Sequence, residues 1–145
     1  LSAAVSAGFA RRAAALAYDA LLLAAVLMVF TAAALLMTHG RAILPENVGA
    51  WAYLYRAALG GLVAGYFVIN WVRSGQTLGM RAWHLHAVDE RGALLVWQVA
   101  LLRFVCAVAC WVPAGLGVFW MYLDPRHLAL HDRLSKTRLL YLAGP

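Results

Sequence analysis

Within "FARRAAALAYDALLLAAVLMVF", residues 9–30, one carboxylate, Asp19, is embedded in an otherwise apolar run behind Arg11 and Arg12. An acid at such a position is expensive, and it needs a named partner before it can be given a role. Arg12 lies seven residues earlier, two helical turns away and on the same face, which puts Asp19 roughly 10 Å deeper at 1.5 Å per residue. A later apolar segment that starts near Val96 or Trp97 brings Arg103 to a depth of roughly 9 to 10 Å. Arg103 is therefore the expected partner of Asp19, whereas Arg56 comes in from the opposite side and matches poorly. Two chemistries follow. Asp19 could alternate between Arg103 and a proton or cation, since desolvation raises a carboxyl pKa and a neighbouring cation lowers it. Alternatively, the two form a permanent buried pair that fixes helix packing.

The remaining candidates are weaker. His84 and His86 alternate along "RAWHLHAV", which projects them to one face of a strand, and His131 precedes Asp132. Their spacing matches no closed zinc signature, so no metal is expected. Asp132 is expected to accept hydrogen bonds from the "GQTLG" turn or to pair with Arg81, pinning loop to tail. Gln76 and Thr77, between Gly75 and Gly79, form a backbone-dictated turn without the G-K-[ST] ending of a phosphate loop. Neither a nucleophile triad nor a G-x-S-x-G motif is present, and the reading is non-enzymatic, with no cofactor. Cys106 and Cys110, at i and i+4, share a helix face beyond bonding range and read as free, packed thiols.

The elements that must hold these residues are set by composition. Of 145 residues, 65% are hydrophobic and 12% charged, with a mean hydropathy of +0.76; too little polar surface remains to clothe a soluble globule. The net charge of +6 sits beside apolar runs and reports topology rather than nucleic-acid binding. Residues 13–37 and 51–72 are long enough to cross a bilayer. The first is too long for a signal-peptide core and reads as a retained span. Trp51, Tyr53 and Tyr55 at one end of the second span, and Trp71 at the other, mark the interfaces. Ala57, Gly61 and Gly65 form a small-residue ridge, expected to pack against the first helix rather than to form a homodimer seam.

Residues 73–96 carry Arg73, Arg81 and Arg91 and form a cytoplasmic loop by the positive-inside rule, which also puts the N-terminus inside. "RAWHLHAV" before the "DERG" turn and "KTRLLYLA" at 136–143 are the two strand candidates, and they are expected to pair. Residues 97–123 form a third apolar segment interrupted by Pro113, Gly115 and Gly117. A re-entrant or hairpin path would return the basic tail, 124–145, to the cytoplasm.

Three ordered motifs resemble the RDD family of small bacterial membrane proteins, named for an arginine and two aspartates. They are "RRAAALAYD" with Arg12 and Asp19, "SGQTLGMRAWHLHAVDERG" with Gly75, Gln76, Thr77 and Gly79, and "HDRLSKTRLL" with His131, Asp132 and Thr137. The resemblance runs from about residue 9 to 142, and Ser135 and Arg138 depart from it slightly. It implies a multi-pass inner-membrane protein, and for some members a link to sodium or proton exchange.

The expected architecture is thus an all-α membrane protein in a single domain, 1–145. It has two transmembrane helices, a broken third apolar segment and a two-stranded cytoplasmic β cap. Two functions stand: ion transport through the Asp19–Arg103 site, or a scaffold or accessory subunit that binds a partner through the cap or the Gly61/Gly65 ridge. The partners implied are the lipid bilayer and a second copy or another membrane protein, with no nucleic acid.

Overall fold

The computed structural model describes residues 5–111 and 129–141. In chain order these form β1 (Val5–Ser6), α1 (Phe9–Met37), α2 (Pro45–Val48), α3 (Trp51–Ser74), α4 (Leu78–Ala82), β2 (Leu85–Asp89), α5 (Trp97–Trp111), α6 (Leu130–Leu134) and β3 (Thr137–Tyr141).

Helices α1 and α3 are long and apolar enough to cross a membrane; α5 is apolar but shorter. The outer face of α1 exposes Leu21, Met28, Val29 and Leu36, with Leu36 80% accessible. The buried side chains of α1 are Arg12, Ala15, Asp19 and Leu23. Their spacing of three and four residues makes one stripe. Most of this helix therefore presents hydrocarbon outward while Arg12 and Asp19 turn inward. The Pro113, Gly115 and Gly117 interruption lies outside the described residues.

The strand pairing expected from sequence is present, with one addition. β2 and β3 run antiparallel from Leu85 opposite Tyr141 to Asp89 opposite Thr137. The two-residue β1, not anticipated, joins the other edge of β3, and the order is β1-β3-β2. The sheet thus gathers the start of the chain, the central loop and the tail. Residues 81–83 do not extend β2. Arg81 and Ala82 close α4 and Trp83 caps it, and His84 takes φ 54, so His84 and His86 do not share a strand face.

The core forms where the helices meet this cap: Ala15 of α1, Val68 and Trp71 of α3, Met80 of α4, Leu85 and Ala87 of β2, Ala100 of α5 and Leu139 of β3. Trp71 is a correction. It does not stand among lipid headgroups but is buried, its indole N–H donating to Met80 Sδ at 3.4 Å. At the far end, α1 and α3 are tied by Thr31 and Tyr55, whose hydroxyls lie 2.7 Å apart. The Gly61/Gly65 ridge is another correction: among the described residues, a Cβ added at Gly61 would meet nothing within 4 Å and one at Gly65 only its own helix's Ile69. The ridge therefore does not seat α1.

Candidate functional site

Asp19 is 2% accessible and its partner is not Arg103. The α3–α4 turn holds it instead. Gly75 ends α3 at φ 68, a left-handed conformation that favours glycine. An added Cβ there would also press Leu94 at 3.0 Å and the Ala87 carbonyl at 3.1 Å. The Gly75 carbonyl accepts from the Ala87 amide at 2.7 Å, and Gln76 Nε2 donates to the Leu85 carbonyl at 2.9 Å, so the turn is bonded to β2. Thr77 caps α4, its hydroxyl accepting from the Met80 amide at 3.1 Å while donating to Asp19 Oδ2 at 2.5 Å. The Gly79 amide donates to Asp19 Oδ1 at 2.8 Å, and the Tyr66 hydroxyl donates to the same oxygen at 2.6 Å. Asp19 therefore accepts three hydrogen bonds, two of them from the loop motif.

Gly79 is required by space. A Cβ at that position would lie 2.1 Å from the Ala15 carbonyl and 2.9 Å from Asp19 Cγ. Only a bare backbone lets α4 come close enough to α1 for its amide to reach the carboxylate.

Arg103 belongs to a second junction, around Asp132. Arg12 Nη1 donates to Asp132 Oδ2 at 2.5 Å, and its Nε donates to the Ala7 carbonyl at 2.9 Å. Arg103 Nη1 lies 2.7 Å from Asp132 Oδ1 and also donates to Thr137 Oγ1, so its contact with the carboxylate is a charge contact shared with a hydrogen bond elsewhere. Thr137 Oγ1 is 2.8 Å from the Ser135 hydroxyl, which lies 2.6 Å from the His131 carbonyl. The Arg103 guanidinium sits 5.2 Å from the Trp71 ring. Asp132 thus bridges α1 and α5 to the tail, and the role expected for it at the "GQTLG" turn falls to Asp19. Depth misled the sequence reading: the two aspartates exchange partners because α6 brings its own acid to Arg103.

The electrostatics of this junction are one-sided. Burial by itself would raise the Asp132 carboxyl, but Arg103 and Arg12 outweigh it and hold the group well below the usual carboxylate range. His131 Nε2 is 3.5 Å from Asp132 Oδ1. Burial pushes His131 down to about 4, Asp132 opposes that shift, and the two guanidiniums add to it. Burial also lowers His86. Among the described residues, no three of His, Cys, Asp and Glu come together as a metal site. Cys106 and Cys110 are free thiols.

Tyr66 escaped the sequence reading although a signal existed: a tyrosine inside an apolar helix needs a partner for its hydroxyl. Ser135 had no comparable signal, since its role depends on a neighbour that only α6 supplies.

Two long apolar helices, joined to a small sheet through two buried aspartates, fit the class of helical membrane proteins. The chain belongs to the RDD family, whose family model matches residues 6–136. No curated protein and no solved structure matches it.

Proposed function

We propose that this RDD-family chain is a non-enzymatic inner-membrane protein whose cytoplasmic cap, clamped to the helical hairpin, presents a platform for a partner membrane protein. The observation that carries the reading is the state of Asp19: its carboxylate is occupied by the Thr77 and Tyr66 hydroxyls and the Gly79 amide. Exchange of sodium or protons at that position would have to break a junction on which the seating of α4 depends. Supporting an even number of crossings, the sheet joins β1, β2 and β3 on one side of the hairpin, and Arg73, Arg81 and Arg91 lie in the loop on that side.

The test combines two measurements on the full chain. In liposomes, the protein is expected to give no more sodium- or pH-gradient-driven flux than protein-free vesicles. In native membranes, a photocrosslinker at the exposed cap positions Trp83 or Arg138 is expected to trap a discrete protein adduct that one at lipid-facing Leu36 does not. Flux that disappears in a folded Asp19→Asn variant would favour ion transport and overturn the scaffold reading.

A further inference from the structure

The Arg12–Asp132–Arg103 junction carries two guanidiniums against one carboxylate. The Arg12, Arg103 and Asp132 side chains are 7%, 4% and 0% accessible. Arginine remains protonated in proteins, and burial holds His131 neutral at physiological pH. Among the described residues, the junction therefore holds one positive charge in excess.

The charge excess coincides with unused donors. Among the described residues, Arg12 Nη2, Arg103 Nε and His131 Nδ1 are buried without a hydrogen-bond partner, and Asp132 Oδ1 has only its charge contact with Arg103 and His131. The N-terminus of α1 adds to the imbalance. Its cap, Gly8, makes no side-chain hydrogen bond and its first turn has no acid, while Arg11 and Arg12 occupy that turn, where the helix dipole already favours negative charge. Water could satisfy the spare N–H groups, but it would leave the charge uncompensated, and an unpaired buried charge is far costlier than an unpaired buried dipole.

We propose that the Arg12–Asp132–Arg103 junction is a binding site for one singly charged anion, accepting from Arg12 Nη2 and Arg103 Nε, either as a free ion or as the phosphate of an anionic lipid. The site stands on charge and geometry alone and does not depend on the scaffold reading. A bound anion would balance the cluster and strengthen the attachment of α6 and β3 to α1 and α5.

The experiment is thermal unfolding of the full chain in neutral detergent at constant ionic strength, with gluconate replaced by chloride, bromide or phosphate. Melting is then repeated in gluconate in nanodiscs of phosphatidylcholine with and without phosphatidylglycerol. The expected result is a saturable rise in Tm of several degrees, since a ligand that binds only the folded state stabilises it by mass action. A rise with inorganic anions marks a free-ion site; one seen only with phosphatidylglycerol marks a lipid phosphate. Arg12→Gln and Arg103→Gln each leave one arginine against one aspartate and should lose the response, while Arg11→Gln, at an exposed position, should keep it. If neither variant folds, equilibrium dialysis of radiolabelled chloride, and of a short-chain phosphatidylglycerol, against the parent protein decides by stoichiometry, with one bound per chain expected for the true ligand. Indifference of the parent to every anion and lipid, or an unchanged response in folded Arg12→Gln, overturns the proposal.

Discussion

Substituting Gly79 by alanine tests the close approach on which the Asp19 junction rests. In an unconstrained helix the change should help, because alanine is favoured over glycine by roughly 1 kcal/mol. Here the new methyl would fall 2.1 Å from the Ala15 carbonyl, and α4 must retreat by about 1 Å or more to reach ordinary contact. That retreat stretches the 2.8 Å bond from the Gly79 amide to Asp19 beyond useful length. Losing a hydrogen bond to a charged group costs about 1.5–3 kcal/mol, and overpacking costs about 1–3 kcal/mol. Offset by the helix preference, the net loss is about 1.5–5 kcal/mol. At about 4 °C per kcal/mol for a chain of this size, Gly79→Ala should melt roughly 6–20 °C below the parent. Circular dichroism in detergent gives the midpoint, and tryptophan fluorescence reports the loosened contact of Trp71 with Met80. Gly61→Ala is the control, since a Cβ there meets no described atom. A Gly79→Ala variant as stable as the parent, or a Gly61→Ala variant that falls as far, would refute the reasoning.

Asp19→Asn and Arg103→Gln should each destabilise by about 2–4 kcal/mol, because each leaves buried groups mispaired. Since they share no partner, a double-mutant cycle should give additivity within about 0.5 kcal/mol, whereas Arg103→Gln with Asp132→Asn should couple by 1 kcal/mol or more, on the order of contacting pairs; a strong Asp19–Arg103 coupling would contradict the observed pairing. His131 provides a pH signature. Its folded pKa is lowered to about 4 from 6.5, so only the unfolded chain takes up the proton between those values. Stability should be complete above pH 6.5 and fall by about 3 kcal/mol on acidification to pH 4, using about 1.4 kcal/mol per pKa unit. Asp132, with its folded pKa lowered, adds its own loss only as pH falls below the ordinary carboxylate value. A His131→Phe variant whose melting temperature still falls between pH 6.5 and 4 as the parent's does would show that another group is responsible.

Much of the fold was legible because it depends on local pattern. Twenty or more consecutive apolar residues admit few alternatives to a long helix, and "KTRLLYLA" alternates as a half-buried strand must. The loop motif was legible as a turn for the same reason: the chain reverses sharply, and glycine and threonine meet its backbone needs locally. β1 was not legible, since two residues carry no period and pair only because β3 offers an edge. The Gly61/Gly65 spacing likewise says that a backbone could approach, but not which one.

What the sequence determined by itself was that Arg12, Asp19, Arg103 and Asp132 needed partners, because charge in apolar surroundings is too costly to leave alone. Tertiary structure alone decided which partners they found. Depth along a helix axis matched Asp19 to Arg103, yet that single coordinate omits the chain segments that fold back against the helices. The α3–α4 turn carries hydroxyl and amide donors to Asp19, and α6 carries Asp132 to both arginines. Hydrogen bonds and ion pairs act over about 3 Å, so their partners are set by where distant segments pack, which the spacing of residues within one helix does not contain.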